Sequence, residues 1–402
     1  MTSGRAIVVT GRMPWPLDDG GRVDLWQSVK ACSRRWDLTL LTLVDPGAVT
    51  AALPDALAGF EVVRIPHRRP SAPLSGLRSL FGPWPYPVVR ARSRALERRL
   101  AELVASRRPD VVWLNQIHTA TSLDSLGTVP VVLRQQNLEH RFLERYAASL
   151  RSPLVRAYAT QQARRMRDVE ARVCSRCDLV LAVQDLERDA LRQLAPGARV
   201  ETLPIGVDVA RFLPRAPESP PIVLLAGSFG WPPNAEGAAR FLTEGWPRLR
   251  ERVAGVRLRL AGKGIPADLA EQARAAGADP VGYVDDMAVE FARAAALVVP
   301  LWVGAGARVK IIEALTAGLP VVSTAIGVEG LGLIPGTHHL EAETPEQLGV
   351  SLANLLLDAS RARTMADAGQ ALAASRFSLD AVSAQAAELV AETIARGSGA
   401  RR

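Results

Sequence analysis

Two series of short apolar runs, each run separated from the next by a helical pattern, constrain this chain more than any other feature. The first series falls at 6–10, 38–43, 61–65, 111–114, 131–134, 179–183 and 199–203. The second falls at 222–226, 256–261, 280–283, 297–300 and 320–323. Several runs are unbroken Val, Leu and Ile rather than alternating apolar and polar residues. An alternating strand shows one face to water. An unbroken one is buried on both faces, as in a parallel sheet covered by helices. Long amphipathic segments intervene, notably at about 85–107 and 153–176, which is the rhythm of βαβ units. Residues 206–221 interrupt it with Pro214, Pro217, Pro220 and Pro221. Proline removes a backbone donor and fixes φ, so no regular element is expected there. The predicted fold class is therefore α/β, with two Rossmann-like, doubly wound domains facing an interdomain cleft. They occupy residues 1–205 and 222–376, with 206–221 as the linker. The segment 377–402 begins with an amphipathic helix expected to pack back across the domain junction. The length of 402 residues fits two domains. Open sheets of this kind take ligands at the carboxyl ends of their strands.

The charge is uneven. Residues 1–215 carry a net +11 and the remainder −3. Within the basic half, residues 64–108 hold 11 arginines against Glu97 and Glu102. Phe81, Trp84 and Tyr86 lie in the same stretch, so it is a candidate for peripheral contact with a membrane or for an anionic acceptor. A solvated helix face in an arginine-biased chain is the plainer reading, and no nucleic-acid partner is expected. Three cysteines, Cys32, Cys174 and Cys177, are too few for a disulfide framework. The single C-x-x-C has no second pair to complete a zinc site, and buried small side chains account for it better than a redox dithiol. No run reaches the roughly 18 apolar residues that span a bilayer, and the first run is too short for a secretory signal. The expected location is the cytoplasm, with peripheral attachment at the inner face of the membrane as an option.

The densest chemistry lies at 301–330. A strand ends at Pro300 and the loop Gly304-Ala305-Gly306-Ala307 follows. A helix then opens with Arg308 and Lys310, with Glu313 a turn later. Glycines let a ligand approach the backbone, and the free amides of a helix start favour an anion. Two cations at that end oppose the helix dipole, so the sequence puts positive charge where the helix alone disfavours it. Only three of the 49 basic residues are lysine, namely Lys30, Lys263 and Lys310. A lysine beside a glycine loop is therefore unlike the background, and its ammonium suits a phosphate oxygen. The bland alternatives are an ordinary surface pair and a plain helix-surface glutamate.

These residues resemble the carboxyl-terminal domain of glycosyltransferase family four, a retaining family with the GT-B fold. Gly304-Ala305-Gly306 through Lys310, then Glu313-Ala314, Ala317-Gly318 and Pro320-Val321-Val322, are similar to its donor-site signature. Gly227-Ser228, Pro233-Asn234, Phe241 and Trp246-Pro247 resemble the opening of that domain. The run Val281-Gly282-Tyr283-Val284-Asp285-Asp286 resembles its G-x-v-x-D turn. The resemblance implies that Arg308 and Lys310 hold the donor diphosphate and act in catalysis, and that Glu313 binds ribose. It further implies donor contacts from Gly20, Gly21, Gly227, Ser228, Val284, Gly304, Ala305, Gly306 and Ala307. Many members have a glutamate eight positions before the ribose-binding one. Ala305 stands there, which leaves the donor sugar open.

The amino-terminal half is similar to the family at Gly20-Gly21, at Arg134-Gln135-Gln136-Asn137-Leu138-Glu139-His140 and at Pro204-Ile205-Gly206-Val207-Asp208. Gln136 replaces a usual histidine there. His118 falls where related enzymes contact the donor sugar, and Asn137, Glu139 and His140 are candidates for the acceptor side. The implied reaction is transfer from a UDP- or GDP-sugar to a hydroxyl in glycan, glycolipid or natural-product synthesis. The nucleotide-sugar is a co-substrate. No cofactor is expected, and with no DxD or ligand cluster no metal is expected either. A nucleotide-sugar epimerase of the same fold and a degenerate binding protein are the competing readings. The sequence leaves the acceptor unidentified.

Overall fold

The computed structural model describes residues 4–17, 20–49, 52–150, 152–303 and 308–399. The chain forms two compact units, residues 1–206 with 382–402, and residues 207–381. Each is built on an all-parallel sheet, as the unbroken apolar runs predict.

In the first unit the strands are β1 (Arg5–Thr10), β2 (Asp37–Val44), β3 (Glu61–Pro66), β4 (Val111–Asn115), β5 (Val131–Gln135), β6 (Leu179–Ala182) and β7 (Val200–Thr202), in the order β3-β2-β1-β4-β5-β6-β7. The helices are α1 (Gly20–Ser33), α2 (Ala72–Phe81), α3 (Tyr86–Ala91), α4 (Arg94–Arg107), α5 (Glu139–Ser149), α6 (Pro153–Cys174) and α7 (Asp185–Leu194). The two-residue period of a strand divides each apolar run between two cores. Ile7 and Val9 of β1 join Val112 and Leu114 of β4 on one face. Ala6, Val8, Val111 and Trp113 line the other. The helix Leu379–Gly399 adds Val382, Ala386, Ala387 and Val390 to that second core. Their spacing of three to four residues gives it one apolar stripe.

The second unit has β8 (Ile222–Ala226), β9 (Arg257–Ala261), β10 (Asp279–Gly282), β11 (Ala296–Val299), β12 (Val321–Ser323) and β13 (Leu340–Glu341), in the order β10-β9-β8-β11-β12-β13. The two-residue β13 escapes sequence detection because it is too short to show a period. The helices that bear on function are α8 (Pro232–Arg240), α9 (Trp246–Arg250), α10 (Ala267–Ala275), α11 (Met287–Arg293) and α12 (Val309–Thr316). The proline-rich stretch forms neither strand nor α-helix, yet it is bound down. Arg215 donates to the carbonyls of Gly318 and Ala294, and the Ala216 and Glu218 amides donate to Ala292 and Arg293.

Both sheets reverse their strand order once, between β1 and β4 and between β8 and β11. At such a point the connections on either side diverge and leave a crevice at the carboxyl strand ends. In the first unit that region is held by a buried ion pair. Arg134 at the end of β5 and Asp24 of α1 are fully buried and lie 2.5 Å apart. Arg134 also donates to the carbonyls of Leu203 and Ala182, and Gln136 donates to the second oxygen of Asp24. Removing one partner leaves a buried charge uncompensated, which costs about 3–5 kcal/mol. Asp24→Ala is accordingly expected to lower the unfolding free energy read from urea titration by about 3–5 kcal/mol, seen as a lower midpoint. An unchanged midpoint overturns the role given to the pair.

Candidate functional site

The second unit's site begins where β8 ends. Gly227 follows it with φ +150°, and a Cβ there would meet Asn234 Nδ2 at 3.0 Å and Lys310 Nζ at 3.4 Å. Only a glycine sits easily in that conformation and that space. Asn234, in the first turn of α8, donates to the Ser228 carbonyl at 2.8 Å and accepts from Lys310 Nζ at 3.0 Å. Gly227, Ser228, Asn234 and Lys310 thus converge at the β8/β11 switch point. Arg308 stands immediately before α12. It is 5% exposed and donates to the Ile326 carbonyl at 3.2 Å. The first turn of α12 contains no acid.

Electrostatics sharpen the picture. Burial, then the neighbouring Arg308, pushes Lys310 down to about 7. Burial pushes Glu313 up to about 7; Asp286 adds to this and Arg211 opposes it. A bound anion would restore the charge on Lys310, because an opposite charge favours the charged form. Sequence reasoning did not assign a ligand role to Asn234, although the Pro233-Asn234 pair just after a strand was its visible signal. Val284 is half-buried in the segment that follows β10. Gly304, Ala305, Gly306 and Ala307 lie outside the described residues.

In the first unit, Gly20 and Gly21 open α1. Gln136 bridges from the Gly21 carbonyl at 3.4 Å to Asp24 at 2.8 Å, so the residue in the usual histidine position joins the buried ion-pair network. Gln116 follows β4 with φ 68°, a sparsely populated conformation for a residue with a side chain. It donates to Gln136 at 2.5 Å. Next to it is His118, whose Nδ1 is buried with no hydrogen-bond partner. Burial, then Arg69, lowers His118 to about 4, so the ring is neutral at pH 7. It lines a cavity of about 370 Å³ with Gly11, Arg12, Leu43, Arg69 and Arg90. Among the described residues, no acid lines it. The cavity stands at the carboxyl ends of β1, β2 and β4, at the first unit's switch point.

The other amino-terminal candidates separate by role. His140 is buried, and its Nδ1 lies 2.5 Å from the fully buried Glu170. Glu170 also accepts from the backbone amides of Glu139 and His140 and from Gln135. It therefore satisfies the free amides at the start of α5, and His140 is part of that support. Glu139 stays half-buried, and burial, Glu170 and Glu187 together raise it to about 7. Asn137 is half-buried beside it. The cysteines are all buried and free, and burial raises each thiol. Thiols in that state are poor nucleophiles. Among the described residues, no group of three or more His, Cys, Asp or Glu is arranged to hold a metal.

The model of Glycosyltransferase Family 4 matches residues 48–211, and that of Glycosyl transferases group 1 matches residues 220–358. No curated protein matches the chain in sequence. The fold is similar to sucrose-phosphate synthase from Thermosynechococcus elongatus, with 18% identity, a TM-score of 0.72, and coverage of 98% of this chain and 100% of that one. Anabaena Alr3699/HepE in complex with UDP and glucose is similar at 16% identity and a TM-score of 0.66, over 97% of this chain and 100% of that one. WaaG, a glycosyltransferase of lipopolysaccharide biosynthesis, is similar at 16% identity and a TM-score of 0.67, over 96% of this chain and 99% of that one. At these identities the likeness is one of fold.

The small number of lysines makes Lys310 directly measurable. In protein labelled with 13C at lysine Cε, one of the three resonances is expected to titrate with a midpoint of about 7. It should be missing from Lys310→Arg. Three midpoints all near the ordinary lysine value of about 10.4 would contradict the site's electrostatics.

Proposed function

Because the chain belongs to glycosyltransferase family four and has the GT-B fold, we propose that it transfers a sugar from a UDP-sugar to a hydroxyl acceptor with retention at the anomeric carbon. The observation that carries this is the convergence of Lys310, Asn234 and the side-chain-free backbone of Gly227, with the buried Arg308 immediately before the same helix. A diphosphate placed there meets Lys310, whose bond in the structure is to the neutral amide of Asn234. Charge then grows on the leaving diphosphate as the glycosidic bond breaks, and preformed cations lower that barrier. Glu313 accepts the ribose hydroxyls as a carboxylate, and Ser228 and Val284 complete the nucleotide's surroundings. UDP is preferred over GDP because similar structures carry UDP or UDP-glucose.

The acceptor binds in the arginine-lined cavity of the first unit. Its volume of about 370 Å³ is in the range of small-molecule sites. His118 is a neutral hydrogen-bonding group there, too weak a base at pH 7 to be held as imidazolium. The reading needs no resident metal, and it assigns the protein to the cytoplasm, where it meets its donor.

Calorimetric titration with UDP and GDP tests this. UDP is expected to bind, and Lys310→Ala to weaken it about 10- to 100-fold, the worth of one charge-assisted hydrogen bond at about 1.5–3 kcal/mol. At pH 8, binding should draw a proton onto Lys310, so the apparent enthalpy changes with the buffer's ionisation enthalpy in wild type and not in Lys310→Ala. Absence of nucleotide binding by folded protein would sink the reading.

A further inference from the structure

Helix α2 is inside out. Its sequence, Ala-Pro-Leu-Ser-Gly-Leu-Arg-Ser-Leu-Phe, has a polar stripe of Ser75 and Ser79 and, across the helix, an apolar stripe of Leu74, Leu77, Leu80 and Phe81. In a water-exposed helix the apolar stripe faces the core. Here Ser75 and Ser79 are buried, while Leu74, Leu77, Leu80 and Phe81 are exposed, Phe81 at 85%.

The helix is fastened through its polar side. Ser79 Oγ and the Tyr158 hydroxyl of α6 lie 2.7 Å apart. Arg165 of α6 donates to the carbonyls of Ser79 and Gly82 at the end of α2. These contacts fix the rotation of the helix and hold the leucines outward. The start of α6, one turn before Tyr158, extends the surface with Leu154 at 84% exposure and with Val155.

Basic residues dominate the two stretches that form this surface. Arg68, Arg69, Arg78 and Arg156 are all exposed. No Asp or Glu occurs between Glu61 and Glu97 or between Arg145 and Arg167. Glu97 is bonded to Arg92 and Glu102 to Arg99. Exposed apolar residues ringed by basic ones match a bilayer in which the acyl region takes the leucines and anionic headgroups take the arginines.

We propose that α2, with the start of α6, docks the protein on an anionic lipid surface. Leu77 and Phe81 enter the headgroup–acyl boundary, and Arg68, Arg69 and Arg78 meet lipid phosphates. Arg69 also lines the acceptor cavity, so docking brings the cavity rim to headgroup level. The docking claim stands on the surface itself and goes beyond the transfer reaction.

Sedimentation with vesicles tests it on the full chain. Wild type is expected to pellet with phosphatidylcholine vesicles containing about 30 mol % phosphatidylglycerol, and to do so less as salt rises. The double variant Leu77→Glu/Phe81→Glu should lose at least about tenfold in partitioning. Both residues are exposed, and UDP titration of the same preparations checks the donor site separately. Loss of vesicle binding with UDP binding kept supports the proposal. Wild type that ignores anionic vesicles, or a variant that binds as well as wild type, overturns it, whatever the outcome with UDP. Light scattering that shows a wild-type dimer dissociated by the same substitutions also overturns it, by assigning the face to a second copy.

Discussion

Much of the first unit's working end depends on one interaction, the buried pair between Asp24 and Arg134. Two ions without water are expensive, and their attraction offsets the cost only when the remaining donors and acceptors are also satisfied. Here they are: Arg134 reaches the carbonyls of Leu203 and Ala182, and Asp24 also receives Gln136. The result is a tie between the first turns of α1 and the ends of β5, β6 and β7. Gln136 extends it to Gly21 and receives Gln116 beside the His118 cavity. The glycine pair at the start of α1 and the cavity at the end of β4 are thereby held by one polar network.

The second unit solves the opposite problem. Its Lys310 is buried against a neutral partner at the place where a ligand is expected. Arg308 is buried, Lys310 finds a neutral amide in Asn234, and both stand at the end of a helix that disfavours positive charge. Such an arrangement lowers stability without ligand and gains when an anion arrives. Burial depresses Lys310 and raises Glu313, since it disfavours the charged form of each. Perturbed groups that gather in a crevice mark functional sites more often than structural ones.

Much of this was legible from residue order. Unbroken apolar runs gave the parallel strands, since a strand buried on both faces needs no polar alternation. The glycine loop, Arg308, Lys310 and Glu313 were legible because they lie within a few residues of one another on a strand–loop–helix unit. Other features were not. Asn234 meets Lys310 across 76 residues. Arg12, Arg69, Arg90 and His118 share a cavity only because β1, β2 and β4 are neighbours in the sheet. His140, an acceptor-side candidate by its place in the sequence, meets Glu170 across 30 residues, a contact that residue order does not show.

The sequence by itself determined the longer strands and the two-sheet plan, because periodicity and short-range spacing act within a few residues. The tertiary structure alone decided which polar groups are compensated and which face of α2 meets solvent. Periodicity places the leucines of that helix inward, yet Tyr158 and Arg165 of α6 capture its serine side and its last carbonyls. The rotation of a helix about its axis is set by what it packs against, and that partner lies about 80 residues away in the chain.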